Sequence, residues 1–310
     1  MLKTLTAALL GTPYARKNHR RALRNPPTIK TGLARLGHIH APLEAPDDEA
    51  PIFLLSAGWR SGSTLLQRLI MSDPRILIWG EPYDECGLIQ ALANTLLAFR
   101  DDWPPENYFY DFYQGKPPSH LTGEWIANLF PSLEHWHKSH RALFDTLFSQ
   151  PAKKTGASRW GIKEVRLGVE HCAYLKWLYP KASFVLLYRN PLDTYRSYCR
   201  YGRSWYDVFP QKPVFTPTAF GTHWRRLVEG FLRDAKALNA LVIRYEDMVS
   251  DTSLIDKLEA YLKIEIDRRI LESKVGSSEK NGNKAHVSLL ERWLLKRAVG
   301  SVAEQVGYSW

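Results

Sequence analysis

Cysteine is scarce. Cys86, Cys172 and Cys199 are the only three in 310 residues, and their spacing forms neither a metal-binding nor a redox motif. They suit a reducing compartment. Long apolar runs are missing as well. The stretch near Leu5–Leu10 is too short to span a bilayer and marginal as the apolar part of a signal peptide. Serine does not occur before Ser56, which argues against an organelle transit peptide despite the Arg-rich start. A cytoplasmic location is therefore expected, with no transmembrane segment. Acidic residues are absent from residues 1–43, which carry eight Lys or Arg. Of the 42 basic side chains in the whole chain, 34 then remain to face 32 acidic ones. The net charge of +10 is thus a property of the first segment, which reads as a solvated arm; no nucleic-acid partner is expected.

What is present points to one large α/β domain, since 45% of the side chains are apolar. Pro26, Pro27, Pro42, Pro46 and Pro51 punctuate the approach to the first apolar run. Residues 1–50 therefore read as an arm and linker, and residues 51–310 as a single domain. Removal of residues 1–43 is expected to leave that domain folded. The chain is organised around I-F-L-L-S-A-G-W-R-S-G-S-T-L-L-Q-R-L-I-M at Ile52–Met71. Ile52–Leu55 is short enough for one buried parallel strand. Ser56–Ser63 is a turn of small residues, and Leu65, Leu66, Leu69 and Ile70 recur at helical spacing. Strand, Gly-rich turn and helix together aim unpaired N–H groups and a helix N-terminus at a phosphate. Arg60 adds a fixed charge, and Ser61, Ser63 and Thr64 add hydroxyl donors around Gly62. A kinase-type loop would read G-x-x-x-x-G-K-[ST]; here no Lys precedes Ser63 or Thr64.

Apolar runs at Ile76–Trp79, Trp160–Lys163, Ser183–Tyr188 and Leu241–Arg244 read as further strands. Helical spacing is found over Leu88–Phe99, residues 121–149, Leu167–Tyr179, Leu192–Arg200, Thr218–Leu238, Ser253–Leu262 and Leu289–Val306. This alternation predicts right-handed βαβ units and a central parallel sheet flanked by helices. Ligands of such sheets bind at the C-terminal strand ends. The phosphate loop, Glu81, Lys163 and Arg189 all fall there. The aromatic stretch at 101–113 suits either a core or the lining of an acceptor pocket.

R-S-G-S-T-L-L at Arg60–Leu66 resembles the 5′-phosphosulfate loop of sulfotransferases that use 3′-phosphoadenosine-5′-phosphosulfate (PAPS). F-V-L-L-Y-R-N-P-L-D-T-Y-R-S-Y at Phe184–Tyr198 resembles the 3′-phosphate site of the same family, with Arg189 and Ser197 in the matching places. The two segments lie about 125 residues apart and in the family's order. The resemblance is nearest to the tyrosylprotein and carbohydrate types. It implies the P-loop sulfotransferase fold, PAPS as co-substrate, no metal, and in-line transfer of a sulfuryl group to a hydroxyl acceptor. That acceptor is a small molecule, a glycan, a lipid or a tyrosine.

In the chemistry so implied, Glu81, 21 residues after Arg60, is the general base. Lys163 stabilises charge on the leaving bridge oxygen, and Arg60 shares the 5′-phosphosulfate. K-V-G-S-S-E-K-N-G-N-K at Lys274–Lys284 resembles the segment that supplies a Ser at the sulfate bridge, Ser278 here, and a Lys on a donor phosphate, Lys284. Tyr245 in R-Y-E-D is a candidate contact on the adenosine side. Competing assignments are a Glu81 that caps a helix or pairs with an Arg, and a Lys163 paired with its neighbour Glu164. Asp193 and Arg196 fit an ion pair at i, i+3. Two other functions stay open: a P-loop nucleotide or small-molecule kinase, and a non-catalytic nucleotide-binding relative. A homodimer is also left open.

Overall fold

The computed structural model describes residues 12–13, 17, 26–39, 49–83, 86–100, 103–113, 116–123, 126–200, 214–272 and 286–310. The chain divides into two compact units, Met1–Leu43 with Leu92–His135, and Glu44–Ala91 with Trp136–Trp310.

Among the described residues, the second unit is built on five strands: β1 (Ile52–Ser56), β2 (Ile76–Gly80), β3 (Arg159–Glu164), β4 (Ser183–Tyr188) and β5 (Leu241–Arg244). All pair in parallel, in the order β2-β3-β1-β4-β5. The register sets Leu54 opposite Lys163 and Val185, and Gly80 opposite Lys163. Each strand lies within a residue or so of its predicted span, because five or six apolar residues between turn signals have few other ways to be buried. The fold class is α/β, with a parallel sheet flanked by helices.

Alternate residues of a strand face opposite sides of the sheet, and the two sides differ in chemistry. One is aliphatic. Ile52, Leu54, Ile76, Ile78, Val185, Leu187 and Ile243 pack there with Leu66, Leu69 and Ile70 of helix Ser63–Ile70, and with Ile255, Leu258 and Leu262 of helix Thr252–Leu262. Gly161 is required on this side, since a Cβ would lie 2.3 Å from the Ile52 carbonyl oxygen. The other side is aromatic. Phe53 meets Trp160, Tyr179 and Phe184, and Phe148 stacks on Trp160 at 6.0 Å. Helices Val169–Leu178 and Pro217–Leu238 belong to this unit as well, the latter burying Trp224, Leu227, Val228, Phe231 and Leu238 as its spacing predicts.

Three helical expectations change. R-Y-E-D-M-V at Arg244–Val249, which shows no helical spacing, carries a short helix, Tyr245–Ser250. The terminal helix is two, Leu289–Val299 and Ser301–Gln305, broken at Gly300 with φ +58°. Within 121–149 the α-helix starts only at Leu133, after Gly123 and Pro131 interrupt the pattern, and the Ser132 hydroxyl accepts from the Glu134 N–H at 3.2 Å. The helix after Asn190 spans Pro191–Cys199 and carries the predicted Asp193–Arg196 ion pair at 3.1 Å.

The first unit contains a helix that the sequence does not announce, Ile29–Ile39, burying Ile29, Gly32 and Leu36. The Thr28 hydroxyl accepts from the Thr31 N–H at 3.1 Å at its start. A Cβ on Gly32 would lie 2.2 Å from the Leu96 carbonyl oxygen, and Arg35 donates to the Pro104 carbonyl at 2.8 Å. Part of the segment read as an arm is therefore packed. Phe109 is buried against Phe130, with Tyr108 and Trp103 in edge contacts, while Tyr110 and Phe112 are exposed. Among the described residues, no helix is long and apolar enough to cross a membrane.

Candidate active site

The turn after β1 has the geometry its glycines suggest. Gly58, Arg60 and Gly62 have φ of +88°, +59° and +91°. Gly62 is the N-cap of helix Ser63–Ile70, and no side chain caps that helix. Its first-turn N–H groups therefore point outward as an anion site. Ser56 and Ser61 hydroxyls both donate to the Gly58 carbonyl, at 3.0 and 2.9 Å. The Ser61 side chain thus braces the loop, while Thr64 is exposed.

Arg60 and Ser197, far apart in sequence, meet: the Arg60 Nε–H donates to the Ser197 hydroxyl at 3.0 Å. Arg189, just past β4, donates to the Arg60 carbonyl at 3.2 Å. Its guanidinium lies 4.3 Å from the Tyr245 ring centre. Tyr245 in turn packs on the loop, where a Cβ on Gly62 would come within 2.2 Å of its ring. Glycine is required there both for its φ and for this approach. The main chain at Arg189 is fixed on two sides. Trp224 Nε1–H donates to its carbonyl at 3.0 Å, and the next N–H, of Asn190, donates to Glu246 at 3.0 Å. Glu246 also accepts from the Tyr308 hydroxyl at 2.6 Å.

Glu81 stands one residue beyond β2 with φ +31°, and its N–H donates to the Lys163 carbonyl at 2.7 Å. A non-glycine residue rarely holds a positive φ, and such strain tends to gather at functional sites. Lys163 Nζ pairs with Glu81 Oε1, and Arg166 reaches Glu81 Oε2 at 3.4 Å. Lys163 thus takes Glu81 as its ion-pair partner. The alternative in which Glu81 pairs with an Arg is met at the same time, through Arg166.

Glu164 faces the other side of β3 from Lys163. Its carboxylate lies 3.8 Å from Arg166 and accepts from the Val165 N–H at 3.1 Å. Burial pushes this carboxyl up to about 7; the Arg166 guanidinium opposes the rise, and the Glu81 carboxylate adds to it. A pH dependence follows. Between about 4.5 and 7 the folded chain binds a proton at Glu164 that the unfolded chain has released. The stability from this group is then fully present below about 4.5 and lost as pH rises through about 7. Glu164→Gln should flatten that part of the stability profile, read as urea midpoints across this range. An unchanged slope would assign the dependence to another group.

The structure brings together Arg60, Ser61, Gly62, Ser63, Thr64, Arg189, Ser197 and Tyr245 as one cluster, and Glu81 with Lys163 as another. Trp59 of the loop lies 5.2 Å from the Arg166 guanidinium, which joins the two. Ser278 and Lys284 lie outside the described residues. Trp59, Glu164, Arg166, Trp224, Glu246 and Tyr308 carry no motif of their own. Their one signal is proximity in sequence to Arg60, Lys163 or Tyr245, and Trp224 and Tyr308 lack even that. Among the described residues no group of three His, Cys, Asp or Glu side chains is placed to hold a metal ion.

Such a site can hold a doubly anionic donor on two arginines and N–H groups, with a carboxylate and an ammonium beside it. The model of the sulfotransferase family matches residues 51–268. No curated protein is a significant match. Solved structures with a similar chain path include the sulfotransferase domain of the olefin synthase from Synechococcus PCC 7002. It is 17% identical over 86% of this chain and 98% of that one, with a TM-score of 0.46. A sulfotransferase domain from the curacin biosynthetic pathway is 16% identical over 84% and 98%, with a TM-score of 0.47. Mouse sulfotransferase SULT7A1, complexed with PAP, is 16% identical over 83% and 74%, with a TM-score of 0.39.

Proposed function

The chain belongs to the sulfotransferase family, and from that premise we propose that it transfers a sulfuryl group from PAPS to a hydroxyl acceptor, with Glu81 as general base. The observation that carries this is the pairing of Glu81 with Lys163 at the ends of neighbouring strands, on the sheet edge that also bears the phosphate loop.

PAPS supplies the sulfuryl group. The uncapped helix start at Gly62–Thr64 and Arg60 suit its 5′-phosphosulfate, and Arg189 with Ser197 suits its 3′-phosphate. Tyr245 is proposed as a contact on the adenosine side. Glu81 takes the proton from the acceptor O–H as that oxygen bonds to sulfur. The bond from sulfur to the bridging oxygen breaks, and Lys163 stabilises the charge that develops there. Ser278 and Lys284 are proposed to add contacts at the bridge and at a donor phosphate. No step needs a metal ion if these cations and N–H groups do the electrostatic work. The acceptor is a small molecule, a glycan, a lipid or a tyrosine.

Thermal unfolding with candidate ligands tests the donor assignment. Adenosine 3′,5′-bisphosphate at about 100 times its Kd should stabilise the native state by about 2.7 kcal/mol, with or without Mg²⁺. A larger, Mg²⁺-dependent stabilisation by ATP would replace the sulfotransferase reaction with a kinase one. A metabolite extract incubated with labelled PAPS then identifies the acceptor.

A further inference from the structure

We infer that Arg166, backed by Glu164, is a positioning residue that holds the Glu81 carboxylate in register with the phosphate loop. This rests on Glu81 being the base.

Arg166 makes three contacts that converge on that role. It reaches Glu81 Oε2 at 3.4 Å, Glu164 Oε2 at 3.8 Å, and lies 5.2 Å from the Trp59 ring. Its side chain is 2% exposed, against 24% for Glu81. A group so enclosed is poorly placed to touch donor or acceptor, whereas Glu81 is open to one. The guanidinium is planar, presents its donors in a fixed fork and stays charged at any working pH. It thereby offers a constant reference for a carboxylate that must gain and lose a proton. Lys163 cannot serve alone. Its ammonium is a flexible point charge, and in the proposed reaction it is shared with the leaving oxygen. Trp59 supplies the link to the loop: it is buried, it carries Arg166 nearby, and its ring lies 5.8 Å from that of His223 on helix Pro217–Leu238. Glu164 lies against the Arg166 guanidinium on its far side, at 3.8 Å, and limits where it can move.

Among the described residues, the charged groups that face Glu81 include Lys163, Arg166 and, behind Arg166, Glu164. Removing Arg166 takes away a cation and should make Glu81 easier to protonate. Selective 13C labelling of glutamate carboxyls, with Glu81→Gln to assign the signal, reads its titration without any acceptor. In Arg166→Met the midpoint of Glu81 should lie measurably above that of wild type. Arg166→Lys should recover most of the wild-type midpoint. Because Arg166→Met strands a buried carboxyl, the double variant Arg166→Met with Glu164→Gln is measured beside it, and its midpoint should rise too. Binding of adenosine 3′,5′-bisphosphate, followed by calorimetry, should persist in all three.

Equal midpoints in wild type and the Met variants would overturn the inference. Failure of both Met variants to fold would overturn it as well, since Arg166 would then be a group of the core. The base assignment fails separately: near-wild-type turnover by Glu81→Gln removes it and leaves this titration readable.

Discussion

Glu81→Gln should reduce turnover by roughly 10²–10⁴, the range for loss of a general base, while binding of adenosine 3′,5′-bisphosphate stays unchanged or tightens slightly. A carboxylate beside an anionic donor gives it no hold and repels it. Its presence at the strand end makes sense if it faces the acceptor hydroxyl. Gln keeps the size and one acceptor oxygen but cannot take the proton. It also lacks the charge that Lys163 and Arg166 now balance, which leaves more positive potential for the donor. Single-turnover rates on an identified acceptor, alongside calorimetric binding, separate the outcomes. Wild-type turnover would remove Glu81 from the mechanism. Loss of nucleotide binding together with activity would mean that Glu81 is architectural.

Arg189→Ala should weaken adenosine 3′,5′-bisphosphate binding by about 1.5–3 kcal/mol, roughly 10- to 150-fold in Kd. The scale is that of hydrogen bonds to a charged group. The position is well fixed: Trp224 holds the Arg189 carbonyl, Glu246 holds the next N–H, and Tyr245 underlies the guanidinium. The side chain also donates to the Arg60 carbonyl, so part of the loss reflects a looser loop. Because Arg189 is partly exposed, stability should change less than binding. A Kd within twofold of wild type would remove Arg189 from the donor site.

Most strand positions were legible because a short buried parallel strand is a local signal. So was the phosphate turn, where Gly58 and Gly62 meet a demand for positive φ. Arg189 and Ser197 were found through their resemblance to a known phosphate site, and they do meet Arg60 and its loop. Helix Ile29–Ile39 was missed because Pro26 and Pro27 and the basic charge speak for an arm. What makes that segment a packed helix is Leu96, which lies far along the chain. Helix Tyr245–Ser250 was missed because six residues, three of them charged or polar at its start, show no period.

The sequence by itself determined the α/β alternation and the phosphate loop, since each is written in short-range spacing, and it pointed to the family through the resemblance of Arg60–Leu66 and Phe184–Tyr198 to two known phosphate sites. Only the tertiary structure decided who pairs with whom. Lys163 could have met Glu164, its neighbour. The pleat turns those two side chains to opposite sides of β3, and the register that sets Gly80 beside Lys163 brings Glu81 to the ammonium instead. Trp59, Arg166 and Glu164 join the site for the same reason. Ion pairs and ring contacts depend on distances in space, and a parallel sheet brings together residues that are some 80 positions apart in the chain.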